Sequence, residues 1–197
     1  MKKLFASAAA LTASLCLAAC SVAGGSGSSR KNSLDTAFCS EMTLTMDRLT
    51  AEGTLTRTGS GQWQAEFDSP NTLSGVTLSL SQGEVTASYK GLSFSVPQSA
   101  MPVKAMILEL AEAVDGCAGQ EELSGKEDGD SLIVSGKLEG GDYTLTVDGD
   151  GALTSFEMPN NKLKIVFTGF TVLDSAVTET TTAAAEEIPT EDMSGNS

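Results

Sequence analysis

Apolar and polar residues alternate with a period of two through most of the middle of the chain. Trp63, Ala65 and Phe67, for example, are separated by Gln64 and Glu66. This alternation is typical of strands that bury one face and expose the other to water. Short turn sequences rich in Gly, Asn, Asp and Pro separate the runs, so neighbouring strands are predicted to pair as antiparallel hairpins. We therefore predict about ten antiparallel strands.

One segment, residues 99–115, has a helical period instead. Its apolar residues recur at intervals of three and four: Val103, Met106, Ile107, Leu110 and Val114. Ser99 suits the helix start and Gly116 suits its end. The pattern predicts a mainly β, α+β domain over residues 34–174. It would be a strongly curved antiparallel sheet (a half-barrel) with one helix covering its concave apolar face.

The N-terminus has the features of an export signal. Lys2 and Lys3 precede an apolar stretch over residues 4–17, which is too short to span a bilayer. The motif Leu17-Ala18-Ala19-Cys20 resembles the lipobox of bacterial lipoproteins. The resemblance implies that residues 1–19 are a cleaved signal peptide and that Cys20 carries acyl chains such as palmitate. A plain secretory signal with an incidental cysteine is the alternative.

Two flanking segments have compositions that argue against a packed core. Residues 20–33 follow the lipobox with a Gly/Ser-rich sequence, for which we predict a lipidated Cys20 and a flexible tether. Residues 175–197 are rich in Thr, Ala and Glu without periodicity, and are predicted to be a disordered acidic tail.

Charge and composition exclude several classes of function. The chain has 12 Lys and Arg against 26 Asp and Glu, a formal charge of −14, which argues against nucleic acid as a partner. It contains no His, so a Ser-His-Asp or Cys-His site cannot be built. A carboxylate pair of the glycosidase type remains formally open, but one Trp and two Tyr offer little for sugar stacking. We expect no enzymatic activity, no cofactor and no metal.

Two short features have competing interpretations. Asp148-Gly149-Asp150-Gly151 could supply oxygen ligands to calcium, but its place between two alternating runs favours a hairpin turn. Cys39 and Cys117 could form a disulfide outside the cytoplasm, or could be two small buried thiols. The disulfide is the favoured prediction.

The order and spacing of these elements resemble the LolA/LolB/LppX family of lipoprotein carriers and lipid-binding lipoproteins. The resemblance covers residues 38–173. It is carried by a strand opening at Phe38, Thr54-Leu55-Thr56-Arg57, the segment 61–70, the helix at 99–115, Gly151-Ala152-Leu153 and the strand over residues 163–167. It implies a curved sheet whose concave face can receive an apolar ligand.

We therefore expect a membrane-anchored, extracytoplasmic, non-enzymatic lipoprotein of a bacterial envelope that binds a lipid or other apolar ligand. The anchor at Cys20 would hold it on the plasma membrane or the outer membrane. The candidate residues lining the ligand pocket are Trp63, Phe67, Leu78, Tyr89, Phe94, Met106, Leu110 and Phe167. The alternative is a non-catalytic interaction module, in which helix and sheet close fully and an envelope protein is the partner.

Overall fold

The protein is mainly β. The computed structural model describes residues 27–100 and 106–173, which form twelve antiparallel strands in one unclosed sheet and one α-helix. The predicted class is confirmed, with more strands than the ten expected. The signal peptide, Cys20 and the acidic tail lie outside the described residues. Within the described ranges, no helix is long and apolar enough to cross a membrane.

The elements follow one another with short connections. They are β1 (Ser28–Lys31), β2 (Phe38–Met46), β3 (Leu49–Gly59), β4 (Gln62–Ser69), β5 (Val76–Ser81), β6 (Glu84–Tyr89), β7 (Leu92–Pro97), α1 (Met106–Ala118), β8 (Glu122–Asp128), β9 (Ser131–Leu138), β10 (Gly141–Val147), β11 (Leu153–Met158) and β12 (Leu163–Val172). The spatial order is β1-β8-β9-β10-β11-β12-β2-β3-β4-β5-β6-β7. Strands that are adjacent in the sheet are also consecutive in the sequence and form hairpins, except for the pairs β1–β8 and β12–β2.

Helix α1 is the one element that crosses the sheet. It leaves β7 at one edge and leads to β8, which lies next to the opposite edge. Its apolar residues, including Ile107, Leu110 and Val114, are buried in one hydrophobic cluster with side chains from both halves of the sheet. We call the face of the sheet that contributes to this cluster the core face, and the opposite face the outer face.

The helix ends further along the chain than predicted, and the start of the predicted helix lies partly outside the described residues. Ser99 lies in a short 3-10 turn (Gln98–Ala100), and residues 101–105 lie outside the described ranges. The predicted stop at Gly116 is wrong, because α1 continues to Ala118. The side-chain amide of Asn32 donates to the backbone oxygens of Cys117 at 2.9 Å and Gln120 at 2.7 Å. Carbonyls at the helix end are therefore satisfied by a side chain from a distant segment.

The predicted tether over residues 20–33 is wrong over its last six residues. Ser28–Lys31 form strand β1, which pairs with β8 from Ser28 opposite Gly125 to Lys31 opposite Glu122. The Ser33 hydroxyl then donates to the Asp150 oxygen at 2.7 Å. The folded domain therefore includes residues 28–33, because β1 pairs with the edge of β8 although its own composition does not favour a strand.

The predicted disulfide between Cys39 and Cys117 is also wrong, since the two side chains lie on opposite sides of the sheet. Cys39 alternates with Phe38 and Ser40, which are buried on the core face, so its side chain is on the outer face. There it accepts a hydrogen bond from the Thr56 hydroxyl at 3.6 Å. Cys117 is buried on α1, on the other side of the sheet. The backbone of the sheet therefore lies between the two sulfur atoms, and they cannot form a disulfide.

Candidate functional site

The eight predicted lining residues separate into three groups by burial. Trp63, Phe67, Leu110 and Phe167 are buried in the packed core beneath α1. Leu78 and Met106 are half-buried and pack against that core. Tyr89 and Phe94 are 43% and 67% exposed. The structure therefore places the first four in the core, leaves Leu78 and Met106 at the margin of that core, and leaves Tyr89 and Phe94 facing solvent.

The strand register shows that these exposed aromatics lie on the core face. Ala65 pairs with Leu78, Leu78 with Ala87, and Ala87 with Phe94, so the four side chains form one row on that face. A second row joins Val76, Tyr89 and Leu92 in the same way. Exposure increases along each row toward the edge strand.

We name the uncovered part of this face the apolar rim and define it as Val76, Leu78, Tyr89, Leu92 and Phe94. Leu92 is 77% exposed, the most exposed large apolar residue of the described ranges. Leu92 and Phe94 are two residues apart on β7 and therefore share a face. Large exposed apolar side chains that are contiguous with one another commonly mark a binding site, so the rim is the candidate binding surface.

The surroundings of the rim are polar but carry few charges. The outer face of the same hairpin is hydroxyl-rich, with the Thr86 and Ser95 side chains hydrogen-bonded at 2.6 Å. At the turn between β6 and β7, the Lys90 ammonium lies 5.0 Å from the centre of the Tyr89 ring. An apolar surface with one cation at its margin can receive a hydrocarbon chain whose polar end is anionic.

A buried polar cluster fixes the C-terminal end of α1 on the sheet. The Arg57 side chain is only 2% exposed and forms an ion pair with Asp115, with Nη2 and Oδ1 separated by 2.9 Å. The other Asp115 oxygen accepts hydrogen bonds from the Gly61 backbone N–H at 2.9 Å and Trp63 Nε1 at 3.0 Å. We call these four residues the Asp115 cluster. It joins α1 to the β3–β4 hairpin through an ion pair and hydrogen bonds.

Glu109 is a second buried acid on α1. Its side chain is against Gly140 in the turn between β9 and β10, and its Oε2 has no hydrogen-bond partner among the described residues. Burial raises its pKa, as do the nearby Glu112 and Glu139 charges to a smaller degree, while a backbone hydrogen bond from Gly140 acts in the opposite direction. Ionisation of Glu109 is therefore less favourable in the folded chain than in the unfolded chain.

We expect the substitution Glu109→Gln to stabilise the protein at neutral pH and not at pH 4. A raised folded-state pKa contributes stability that is present below the unfolded value of 4.5 and lost as the pH rises through the folded value. Glutamine keeps an acceptor for Gly140 and does not ionise. Unfolding midpoints in denaturant from pH 4 to pH 8 test this. Glu121→Gln removes the same charge at an exposed position and serves as the control; equal pH profiles for both variants would contradict the expectation.

Two depressions on the surface lie elsewhere. The larger is on the outer face and is lined by acids and hydroxyls: Glu41, Thr43, Glu52, Thr54, Asp68 and Thr168, with Met42 and Gly53. The second lies between β3 and β5 and is lined by Thr, Gln and Ser side chains together with Trp63 and Leu80. Within residues 27–100 and 106–173, no group of three or more Cys, Asp or Glu is arranged to hold a metal ion. Neither depression includes a residue of the exposed apolar surface formed by Tyr89, Leu92 and Phe94.

The Asp148 loop is a hairpin connection, as the turn interpretation predicted. The loop joins the antiparallel pair β10 and β11. Asp148 Oδ1 accepts hydrogen bonds from the backbone N–H groups of Asp150 and Ala152, both at 2.9 Å. This carboxylate oxygen is therefore engaged in holding the turn, which is the usual role of Asp in such loops.

Comparisons with known proteins add little to this picture. No family model matches the chain, and no curated protein matches it. Among solved structures, it is similar to an uncharacterized conserved protein from Thermus thermophilus, with 12% identity over 72% of this chain and 81% of that one. The TM-score is 0.47, and a likeness at that level carries no argument about function.

Proposed function

We propose that this protein is a membrane-anchored, extracytoplasmic lipoprotein without enzymatic activity, and that its LolA-like half-barrel binds a lipid acyl chain on the apolar rim. The observation that carries the proposal is the exposure of Tyr89, Leu92 and Phe94 on the same face as the core. Apolar side chains that continue a core face without being covered are available to an apolar ligand.

The size of the rim suits a hydrocarbon chain. The strands β5, β6 and β7 span about 10 Å across, and the stretch from Leu92 to Val96 is about 14 Å long. Each methylene removed from water contributes roughly 0.8 kcal/mol, so about eight methylenes would contribute roughly 6 kcal/mol before the entropy of binding is subtracted. Lys90, at the margin of the rim, can pair with an anionic headgroup.

The N-terminal attachment supports the same proposal. In this proposal the acylated residue is Cys20 of the lipobox-like Leu17-Ala18-Ala19-Cys20, eight positions before Ser28, the first residue of β1. A fully extended chain of that length reaches at most about 29 Å. The domain is thereby held within one domain diameter of the lipid from which it would take its ligand, on the plasma membrane or the outer membrane.

The second candidate function is a non-catalytic module that binds an envelope protein. The filled core beneath α1 favours it, because a carrier of the expected kind would keep part of that region open. The two functions differ in the surface they would use: an acyl chain would bind the apolar rim, whereas an envelope protein would bind the acidic outer surface.

The test is photolabelling of the full chain in the membranes of the cells that make it. A phospholipid with a diazirine in its acyl chain is mixed into isolated membranes, and labelled peptides are mapped after irradiation. We expect labels on β6 and β7, and at least tenfold less labelling there in the double variant Leu92→Ser, Phe94→Ser, which loses about 1.4 kcal/mol or more of binding. The matched control is Val166→Ser, Val172→Ser, which removes two exposed apolar residues of β12 that lie outside the rim.

Any of three results would contradict the proposal. The first is unchanged labelling of β6 and β7 in the rim variant, and the second is labelling of the outer face to the same extent as the rim. The third is an equal loss of labelling in the β12 control, which would show that the loss is not specific to the rim residues.

A further inference from the structure

The two edges of the sheet differ in how they are protected. The β1 edge is four residues long and ends in Arg30 and Lys31. Short strands and charged side chains are the usual means by which proteins prevent another chain from pairing with an edge. The β7 edge has six residues, Leu92–Pro97, none of them charged, and it pairs with β6 in a continuous register without a bulge.

The neighbourhood of β7 also lacks the charge that characterises the rest of the chain. No Asp, Glu, Lys or Arg occurs in residues 91–103, although the formal charge of the chain is −14. Two copies that met through most other surfaces would repel each other. At the β7 edge, this repulsion is at its weakest, and Leu92 and Phe94 there are 77% and 67% exposed.

The sequence of β7 is self-complementary. Leu92-Ser93-Phe94-Ser95-Val96 reads apolar, polar, apolar, polar, apolar in both directions from Phe94. An antiparallel pair with a two-fold axis at Phe94 would place each Phe94 opposite the same residue of the second copy. Leu92 would then lie opposite Val96, and Ser93 opposite Ser95. Every apolar residue would meet an apolar one on the core face and every serine would meet a serine on the outer face.

We propose that two copies of this chain associate through their β7 strands, antiparallel and centred on Phe94. The interface has the two-fold, isologous form that is commonest among homodimers. It joins two twelve-stranded sheets into one and places the two apolar rims side by side on the same face. Anchoring both copies to one membrane would raise their effective concentration and favour the pairing. The proposal is independent of whether the rim binds lipid.

Cysteine cross-linking in the full chain tests both the edge and the register. Directly opposite residues have Cβ atoms about 5 Å apart, close to the spacing that a disulfide needs. The variant Phe94→Cys, in isolated membranes with a mild oxidant and no added lipid, is expected to convert most of the chain to a covalent dimer on a non-reducing gel. The wild-type chain, which retains Cys20, Cys39 and Cys117, gives the background.

The matched control is Leu92→Cys. Residue 92 is at least as exposed as residue 94, but in the proposed register the two copies of residue 92 are about 14 Å apart along the strands. It should stay at the wild-type background, and the double variant Leu92→Cys, Val96→Cys should restore the dimer. Cross-linking of Leu92→Cys equal to that of Phe94→Cys would reject the register, and a Phe94→Cys chain that reacts with a thiol reagent but remains monomeric would reject the dimer.

Discussion

Replacing Asp115 with alanine is expected to lower the free energy of unfolding by about 3–5 kcal/mol, because it leaves a buried guanidinium without its counter-ion. Arg57 is 2% exposed, and its Nε also donates to Asp115 Oδ1 at 2.9 Å. The same change removes the acceptor for Gly61 N–H and for Trp63 Nε1. Three donors therefore lose their partner at once, at the point where α1 is fixed to the β3–β4 hairpin.

Denaturant unfolding of the full chain, followed by fluorescence, measures this loss. Trp63 is the single tryptophan of the chain and donates directly to Asp115, so it reports on the cluster itself. The control is Glu157→Ala, which breaks an ion pair with Lys164 whose two side chains are both more than a third exposed, and it should have little effect. Equal losses in the two variants would show that the Asp115 cluster does not hold the helix on the sheet.

Replacing Phe38 with alanine is expected to cost about 3–5 kcal/mol of stability, through lost burial and the cavity left behind. Phe38 is fully buried in the core. Its ring packs edge-to-face with Trp63 at a centroid distance of 5.8 Å and stacks on Phe170 at 4.7 Å. These contacts join β2 to β4 and to the end of β12, so the surrounding strands cannot easily close the space.

Phe94→Ala is the control, because it shows the effect of the same substitution on stability at a rim residue in place of a core residue. Phe94 is 67% exposed, and Phe94→Ala should change the free energy of unfolding by about 0.5 kcal/mol or less. Unfolding midpoints and slopes for both variants provide the comparison. A loss at position 94 comparable to that at position 38 would mean that the rim is part of the core and is not available to a ligand.

The strands were largely predictable because alternation is a local property of the sequence. β4 and β10 show apolar residues in every second position, and the structure pairs each with the next strand along the chain as a hairpin. β1 was not predictable in the same way: Ser-Ser-Arg-Lys has no apolar alternation, and it becomes a strand only because β8 offers an edge. Likewise, Gly116 did not end the helix, because Asn32, more than 80 residues away, satisfies carbonyls beyond it.

The candidate site was predictable in its residues but not in its location. Periodicity alone predicts the same burial for Trp63 and Phe94, since each occupies an apolar position of an alternating strand. Their burial differs because α1 covers one and not the other, and the path of a helix across a sheet is set by tertiary packing. The sequence did indicate that Arg57 is unusual, because it lies two residues after the buried Leu55 on one strand and therefore shares its face. Its partner Asp115, however, is 58 residues away.

Native mass spectrometry of the full chain, released from its own membranes in mild detergent, measures directly whether the apolar rim binds lipid. Acyl groups on Cys20 would appear as a covalent mass increase that survives organic extraction. We expect further, non-covalent adducts at lipid masses that disappear on extraction, return when lipid is added and are lost in the Leu92→Ser, Phe94→Ser variant. A chain that shows only its covalent mass and takes up no added lipid would contradict lipid binding and leave the protein-interaction module as the function.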